Sequence, residues 1–266
     1  IPSPVDTEMI LLAEIEKLPL QKRIGQLMIF GFASAVPDAH IKRLIEEYGV
    51  GGVNLLKRNV EDAVQMQDLT AFLQAATRKT GLPPLFIAVD QEGGIVVRFP
   101  FLKQLTAQRD IKNVDSAFAI AYERGIELRA LGVNMNFAPV LDYVPDRAAY
   151  LYSRTFATST HRAADLGVAM ARGYTAANIV PVFKHFPGYG IITADPHQRN
   201  VSETQLSLSE TLEPFRLALR GSRETPIMTA HIVYKDIDTV PATRSQKFLT
   251  DILRGEWGYD GVIITD

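Results

Sequence analysis

The stretch IVPVFKHFPGYG, residues 179–190, decides how this chain folds. Its first five residues, 179–183, form an apolar run of the length and kind that makes a buried β-strand. Lys184 and His185 follow directly, and the chain then turns through proline and glycine. A buried strand that ends in ionisable residues presents them at its carboxyl end, where parallel α/β folds bind their ligands. The stretch therefore predicts a parallel α/β fold with a site at this strand end.

Short apolar runs alternate with segments of helical period along the whole chain. The strand candidates are residues 27–30, 53–56, 85–89, 135–138, 179–183, 227–230 and 262–265. This alternation predicts parallel strands joined by helical crossovers. Two architectures fit it, an open doubly wound sheet and a (β/α)8 TIM-type barrel, and the polar residues at nearly every strand end favour the barrel. Seven strands are one short of a closed barrel, so we expect the last segment to lie beyond Asp266.

The sequence predicts one barrel domain with a short extension before it. No linker rich in glycine or serine interrupts residues 21–266, which we therefore assign to a single barrel. The apolar pattern of residues 1–20 predicts an amphipathic lead-in helix outside the barrel. The chain starts at Ile1 rather than Met, which indicates that an initiator, tag or signal segment has been removed. Together with the long lead-in, this start favours an exported or periplasmic location over a cytoplasmic one.

Composition and charge narrow the range of partners. The chain of 266 residues has 28 basic and 30 acidic residues, for a formal net charge of −2, and 47% of its residues are hydrophobic. Neither sign of charge forms a long run, so the sequence has no electrostatic footprint for nucleic acid or a membrane surface. No run of 18 apolar residues spans a bilayer, and the absence of cysteine excludes disulfides and thiolate metal sites. We expect a small-molecule ligand, no nucleic acid partner and no membrane span.

Polar residues follow five of the predicted strands in the sequence. They are Asp90, Glu92 and Arg98 after the third strand, Asp142 and Arg154 after the fourth, Lys184, His185, Asp195 and His197 after the fifth, His231 after the sixth, and Asp266 at the end of the seventh. Because the carboxyl ends of parallel strands meet at one face, we expect these side chains to line a pocket for a polyol or a carbonyl compound. Asp142 and Glu92 are expected to organise this site rather than react, and His231 is expected to be structural.

Two other chemistries compete for the same residues. Lys184 at a strand end could be the Schiff-base lysine of an aldolase, but the arginines and the terminal Asp266 fit a sugar site better. Asp195, His197 and His185 could bind a metal ion, yet a third close ligand at a recognisable spacing is missing. We therefore expect no metal and no other cofactor.

Nine motifs, in the same order along the chain, resemble those of the catalytic barrel of glycoside hydrolase family 3. They are IGQL at 24–27, GVGGV at 49–53, DQEGG at 90–94, NFAPVLD at 136–142, SRTF at 153–156, KHFPG at 184–188, DPH at 195–197, MTAH at 228–231 and GYDGVIITD at 258–266. Each motif alone is a weak signal, whereas this many in order is a strong one. Within the family, the chain resembles the β-N-acetylglucosaminidase branch.

The resemblance implies a retaining exo-β-N-acetylglucosaminidase that acts by double displacement. It implies that Asp266 is the nucleophile and that His197 is the acid/base, held in one tautomer by Asp195. The residues that it implies for binding sugar hydroxyls and the acetamido group are Asp90, Arg98, Arg154, Lys184 and His185. The implied substrate is a saccharide with a terminal GlcNAc, β-linked to a muramic or anhydromuramic unit from peptidoglycan or part of a chitin fragment.

The sequence departs from the family pattern at two positions. Tyr189 stands where relatives commonly have histidine, and Pro196, which fixes its own φ, stands between Asp195 and His197 and predicts a stiffer loop. Two other functions stay open on the sequence alone. The first is a catalytically silent sugar-binding barrel, which would have no need to retain all three catalytic residues. The second is a phosphorylase, in which phosphate takes the place of water. A histidine acid/base permits this reaction because, unlike a carboxylate, it does not repel the phosphate anion.

Overall fold

The computed structural model describes residues 4–156, 159–195 and 207–266, and the side chains from residue 11 onward within those ranges. The α-helices are α1 (Pro4–Lys17), α2 (Leu20–Gln26), α3 (Ala39–Arg43), α4 (Ala63–Thr80), α5 (Val114–Ala130), α6 (Thr160–Ala176) and α7 (Leu208–Gly221). The strands are β1 (Ile29–Gly31), β2 (Gly52–Leu55), β3 (Phe86–Val89), β4 (Met135–Asn136), β5 (Val180–Pro181), β6 (Phe183–Phe186), β7 (Ile227–Thr229) and β8 (Ile263–Thr265). Two π-helical segments, Leu44–Tyr48 and Lys247–Glu256, complete the longer elements.

The described strands lie where the apolar runs predict them, with one difference. The run at 179–183 and the three residues after it form two short strands, β5 and β6, separated at Val182. The N–H of Val182 donates to the carbonyl oxygen of Ala138 at 3.0 Å. Lys184 and His185 therefore lie inside β6, whereas the sequence predicts them directly after the strand.

The chain divides into two compact units, of which unit 1 is 1–88 with 131–133, and unit 2 is 89–130 with 134–266. In unit 1, β1 and β2 pair in parallel, with Phe30 opposite Val53. The buried amide of Asn59 holds the chain beyond β1 by donating to the carbonyl oxygens of Phe32 at 3.0 Å and Ser34 at 2.8 Å. The helix α1 lies where the lead-in helix is predicted, and the assignment of 1–20 and 21–266 as separate parts stays a prediction.

In unit 2, β4 pairs with β5, and β6, β7 and β8 form a second ladder, all in parallel. An isolated parallel bridge between Val140 and Lys184 stands between the two ladders. These pairings confirm an α/β class with parallel strands. The pairings do not establish an eight-stranded ring, so the closed barrel stays a prediction.

Side-chain caps set the starts of several described helices, including α4, α6 and α7. The carboxylate of Asp62 accepts from the N–H of Gln65 at the start of α4, and Ser159 accepts from the N–H of Arg162 at the start of α6. Ser207 and Glu210 form a capping box at the start of α7. These contacts satisfy N–H groups that have no partner within the helix, so the helices begin at defined residues.

The core of unit 2 combines closely packed helices with an aromatic cluster. A Cβ at Gly173 of α6 would collide with the carbonyl oxygen of Phe118, so glycine permits α5 and α6 to approach closely. At the end of β6 the ring of Phe186 contacts Phe215, Phe248 and Trp257, with centroids 5.7, 6.2 and 5.7 Å away. Edge-to-face contacts of this kind stabilise the core beyond the area that they bury. The cluster therefore anchors the carboxyl end of β6.

No helix among residues 4–156, 159–195 and 207–266 has both the length and the apolar character that a membrane crossing requires.

Arg124 of α5 is fully buried and binds the loop after β3. Its guanidinium donates to the carbonyl oxygens of Glu92 at 2.7 Å, Thr106 at 2.8 Å and Gln104 at 3.1 Å. It also donates to the hydroxyl of Tyr174 on α6 at 3.1 Å. Because one side chain satisfies four acceptors, helix α5 and the loop after β3 are held as one body.

We expect Arg124→Ala to lower the free energy of unfolding by about 3 to 5 kcal/mol. The substitution leaves buried carbonyl oxygens without a hydrogen-bond donor, and each unsatisfied oxygen costs about 1 to 3 kcal/mol. The measurement is urea unfolding followed by circular dichroism. Arg129→Ala, on the exposed side of the same helix, is the matched control and should change the unfolding free energy by less than about 0.5 kcal/mol. Arg124→Met retains most of the volume; a loss below about 1 kcal/mol in that variant would show that the hydrogen bonds do not hold the loop.

Candidate active site

A pair of side-chain amides fixes the loop that leaves β3. The N–H of Gln91 donates to the side-chain oxygen of Asn136 at 3.0 Å, and the amide of Asn136 donates back to the carbonyl oxygen of Gln91 at 3.0 Å. The side-chain oxygen of Gln91 accepts from the N–H groups of Arg98 at 2.8 Å and Phe99 at 3.1 Å. This loop therefore holds its two neighbours Asp90 and Glu92 at fixed positions beside β4.

Glu92 lies at the centre of a buried ion cluster. Its carboxylate accepts two parallel hydrogen bonds from Arg154, from Nε at 2.9 Å and from Nη2 at 2.7 Å. Its Oε1 also lies 2.6 Å from Nζ of Lys184. Glu92 and Lys184 are 2% and 1% exposed, and Arg154 is 12% exposed, so water screens these contacts very little. The sequence predicts a structural carboxylate at Glu92, and the structure shows it buried and paired with both cations.

The charges of the cluster hold one another in their ionised forms. Burial alone would raise the pKa of Glu92, but Lys184 and Arg154 outweigh it and lower that pKa to about 2. Burial would lower the pKa of Lys184, and the carboxylates of Asp90 and Glu92 outweigh it and raise that pKa. The amine of Lys184 is therefore protonated at neutral pH, which removes the nucleophile that an aldolase needs.

Asp90 forms the solvent side of the cluster. Its Oδ1 accepts from Nζ of Lys184 at 2.7 Å, and its Oδ2 lies 3.9 Å from Nη2 of Arg98. Asp90 is 18% exposed and Arg98 is 27% exposed, so both can reach a ligand without leaving the cluster. Carboxylate and guanidinium groups side by side offer acceptors and donors together, which suits a neutral ligand with several hydroxyl groups.

Asp142 holds the residues on the other side of Arg154. Its Oδ2 accepts from the backbone N–H of His185 at 2.8 Å and lies 2.9 Å from Nδ1 of the same imidazole. Its Oδ1 accepts from the N–H of Tyr189 at 2.7 Å. Nε2 of His185 then lies 3.4 Å from Nη2 of Arg154, which joins the imidazole to the ion cluster. These contacts confirm the organising role that the sequence predicts for Asp142.

Asp266 comes at the end of β8 and contacts the loop after β6. Its Oδ2 accepts from the hydroxyl of Tyr189 at 3.3 Å, and the oxygen of that hydroxyl accepts from the backbone N–H of His231 at 2.8 Å. The ring of Tyr189 lies against the imidazole of His185, with centroids 5.3 Å apart. Asp266 therefore belongs to the same hydrogen-bonded group as His185 and Asp142.

Asp195 contacts Tyr150, and its predicted partner His197 lies outside the described residues. The hydroxyl of Tyr150 donates to the carboxylate of Asp195; burial raises the pKa of that phenol, and the charge of Asp195 raises it further. The N–H of Tyr150 donates to the carbonyl oxygen of Ile192 at 2.8 Å. These two contacts fix the chain at 192–195, directly before the predicted acid/base.

A glycine is required directly after Glu92. Gly93 has φ of +88°, and a Cβ there would collide with the carbonyl oxygen of Thr106. Any side chain at this position would displace the loop that Arg124 binds.

The structure brings six of the predicted site residues together, whereas Asp195 stands outside that group and contacts Tyr150. A continuous series of contacts joins Arg98, Asp90, Lys184, Glu92, Arg154, His185, Asp142, Tyr189 and Asp266. Two functional residues are absent from the sequence-based set, Arg124 and Tyr189. Tyr189 belongs to the stretch 179–190, which predicts the site, so its proximity to the site could be predicted. Arg124 lies in the middle of a helix, and no sequence pattern predicts its role.

The comparison with known proteins identifies the family to which the sequence is similar. The sequence profile described as the N terminal domain of glycosyl hydrolase family 3 matches residues 19–266. A beta-hexosaminidase of Nitrosomonas eutropha is 38% identical over 234 residues, which are 82% of this chain and 65% of that protein. The chain thus spans about two thirds of the length of the first relatives that it matches.

Solved structures of the same family superpose well on the chain. A family 3 beta-N-acetylglucosaminidase from Paenibacillus is 34% identical with a TM-score of 0.83, over 94% of this chain and 49% of that one. NagZ from Neisseria gonorrhoeae, in complex with N-trifluoroacetyl-D-glucosamine, is 30% identical with a TM-score of 0.80, over 90% of this chain and 74% of that one.

We expect the stabilisation due to Glu92 to vanish in acid. Because its pKa is lowered from 4.5 to about 2 in the folded chain, the contribution is complete above about pH 4.5 and falls as pH drops towards 2. A shift of this size corresponds to about 3 kcal/mol. Urea unfolding of the wild type and of Glu92→Gln at pH 6, 4 and 3 should therefore show a difference that shrinks with acid. A difference that is independent of pH would contradict the charge assignment.

Proposed function

The chain belongs to glycosyl hydrolase family 3, and we propose that it is a retaining exo-β-N-acetylglucosaminidase. The observation that carries the proposal is the unbroken contact series from Arg98 to Asp266, which supports a single site for the proposed sugar-binding groups and the proposed carboxylate nucleophile. The relatives named beta-hexosaminidase and beta-N-acetylglucosaminidase support the same activity. The proposal includes a closed (β/α)8 barrel formed from residue 21 onward, preceded by the lead-in of residues 1–20.

The proposed substrate is a saccharide that ends in β-linked GlcNAc. Asp90 and Lys184 bind hydroxyl groups of the sugar, since one carboxylate and one ammonium group 2.7 Å apart can share a pair of vicinal hydroxyls. Arg98, Arg154 and His185 bind the remaining hydroxyls and the acetamido group. The NagZ structure that contains N-trifluoroacetyl-D-glucosamine supports a 2-acetamido sugar in this place. The saccharide is a peptidoglycan fragment or a chitin-type oligomer.

The first chemical step forms a covalent glycosyl-enzyme. A carboxylate oxygen of Asp266 attacks the anomeric carbon, and the bond from that carbon to the leaving oxygen breaks. The imidazolium of His197 gives its proton to the leaving oxygen, so the aglycone departs as a neutral alcohol. Asp195, which Tyr150 holds in place, stabilises the charged imidazole before this transfer.

The second step returns the enzyme to its initial state. A water oxygen attacks the anomeric carbon from the face that the aglycone left, and the bond to Asp266 breaks. Neutral His197 takes a proton from that water, and Asp266 departs as a carboxylate. Two inversions at one carbon release GlcNAc in the β-configuration. Neither step consumes a cofactor.

We expect Asp266→Ala and His197→Ala each to lower kcat for p-nitrophenyl β-N-acetylglucosaminide by about 10³-fold or more, because each removes a group that reacts. Asp195→Asn should lower kcat by more than it raises KM, because Asp195 acts on the imidazole and not on the sugar. The matched controls are Asp260→Ala and His40→Ala, both exposed, which should retain wild-type rates. Circular dichroism spectra verify that every variant is folded.

Further results distinguish the proposed mechanism from its alternatives. Azide should restore turnover of Asp266→Ala and yield the α-glycosyl azide, because a small anion attacks once in place of the missing carboxylate. Wild-type turnover in either alanine variant would refute the assigned roles. Release of sugar 1-phosphate in phosphate buffer would replace the hydrolase with a phosphorylase. No turnover of any β-N-acetylglucosaminide by the folded wild type would favour a silent binding barrel.

A further inference from the structure

Tyr189 is a buried residue at the point where the sequence departs from the family pattern. It follows Gly188 in the loop after β6 and is 1% exposed. Its backbone is fixed because its N–H donates to Oδ1 of Asp142 at 2.7 Å. Its ring is fixed against the imidazole of His185. The phenol therefore projects from a rigid position.

The hydrogen bonds of the phenol give it one orientation. The backbone N–H of His231 can only donate, and it donates to the phenol oxygen at 2.8 Å. The phenol must then direct its own proton to an acceptor, and Oδ2 of Asp266 is 3.3 Å away. Burial raises the pKa of Tyr189, and the charge of Asp266 raises it further, so the phenol keeps its proton over the working pH range.

We propose that Tyr189 is a positioning residue for Asp266. The phenol of Tyr189 holds the charged carboxylate of Asp266 in place by donating a hydrogen bond to it. This inference rests on the proposed function. The carboxylate loses charge when the glycosyl-enzyme forms and regains it when water displaces it. A donor to the carboxylate therefore favours the second step, in which Asp266 departs.

Several charged and titratable groups surround this pair. Strand β6 contributes His185, the segment after β4 contributes Asp142, and the segment after β7 contributes His231. Asp142 acts on the phenol in the same direction as Asp266, because both carboxylates disfavour a phenolate. A change in the titration of Asp266 after loss of the phenol hydroxyl must therefore be compared with a variant that leaves all these groups in place.

Tyr234 provides that matched control. It is also a buried tyrosine bound to the loop after β6, and its hydroxyl donates to the carbonyl oxygen of Gly188 at 2.6 Å and lies 3.2 Å from the hydroxyl of Thr211. Burial raises the pKa of this phenol as well. Its hydroxyl binds the residue next to Tyr189 and not Asp266. Tyr234→Phe therefore loosens the same loop without removing the donor to the carboxylate.

The first test is the kinetics of Tyr189→Phe and Tyr234→Phe with p-nitrophenyl β-N-acetylglucosaminide. We expect Tyr189→Phe to lower kcat about tenfold and to lower KM with it, because the glycosyl-enzyme accumulates when its breakdown slows. A burst of p-nitrophenol equal to the enzyme concentration should appear. The acid limb of kcat/KM should move to higher pH by roughly half a unit to one unit. Tyr234→Phe should show neither the burst nor the moved limb.

The second test does not require turnover. Carboxyl-¹³C aspartate is incorporated into the 266-residue chain, and the signal of Asp266 is assigned by its loss in Asp266→Asn. The titration midpoint of that signal should move to higher pH by roughly half a unit to one unit in Tyr189→Phe and should stay unchanged in Tyr234→Phe.

The two tests separate failure of the inference from failure of the proposed function. A wild type without turnover contradicts the proposed function, and the carboxyl titration then still decides whether Tyr189 donates to Asp266. The inference is overturned if the wild type is active but Tyr189→Phe moves neither the titration midpoint of Asp266 nor the acid limb of kcat/KM. Equal effects in both phenylalanine variants also overturn it, because they would show that only the loop has been loosened.

Discussion

The charge of Glu92, buried between Lys184 and Arg154, is the constraint on which the rest of the site depends. An isolated carboxylate at this depth would be strongly disfavoured, and so would either cation without it. The three charges are stable only together, and their joint geometry sets where Asp90 and His185 stand. The carbonyl oxygen of the same glutamate binds Arg124, so the charge cluster and the helical layer are fixed through one residue.

Around this cluster, side chains that bind backbone hold two segments of the chain. Gln91 and Asn136 hold the loop after β3, and Asp142 accepts from the backbone N–H groups of His185 in β6 and Tyr189 in the loop after it. Loops that are fixed in this way need no rearrangement to present polar groups to a ligand. The polar groups of the site are thus preorganised, in keeping with the proposed sugar ligand, whose recognition depends on many directional hydrogen bonds.

The strands and the convergence of the site could be predicted from the sequence because apolar runs and the polar residues behind them are local signals. The break at Val182 could not, since it depends on a hydrogen bond to Ala138, which is distant in sequence. Arg124 has the sequence context of a solvated helical residue, because only the folded chain brings three carbonyl oxygens to it. Tyr189 is visible in its motif, but its donation to Asp266 requires the spatial meeting of two strand ends. Closure of the barrel and the role of His197 stay predictions.

The aromatic cluster behind β6 has an optical consequence. The chain has a single tryptophan, and the indole of Trp257 lies 5.7 Å, centroid to centroid, from the ring of Phe186. Phe186 directly follows Lys184 and His185 in the same strand. All indole emission of the protein therefore originates next to the strand that presents the polar groups of the site. Intrinsic fluorescence reports the packing of that one region, and the protein contains its own probe of it without any label.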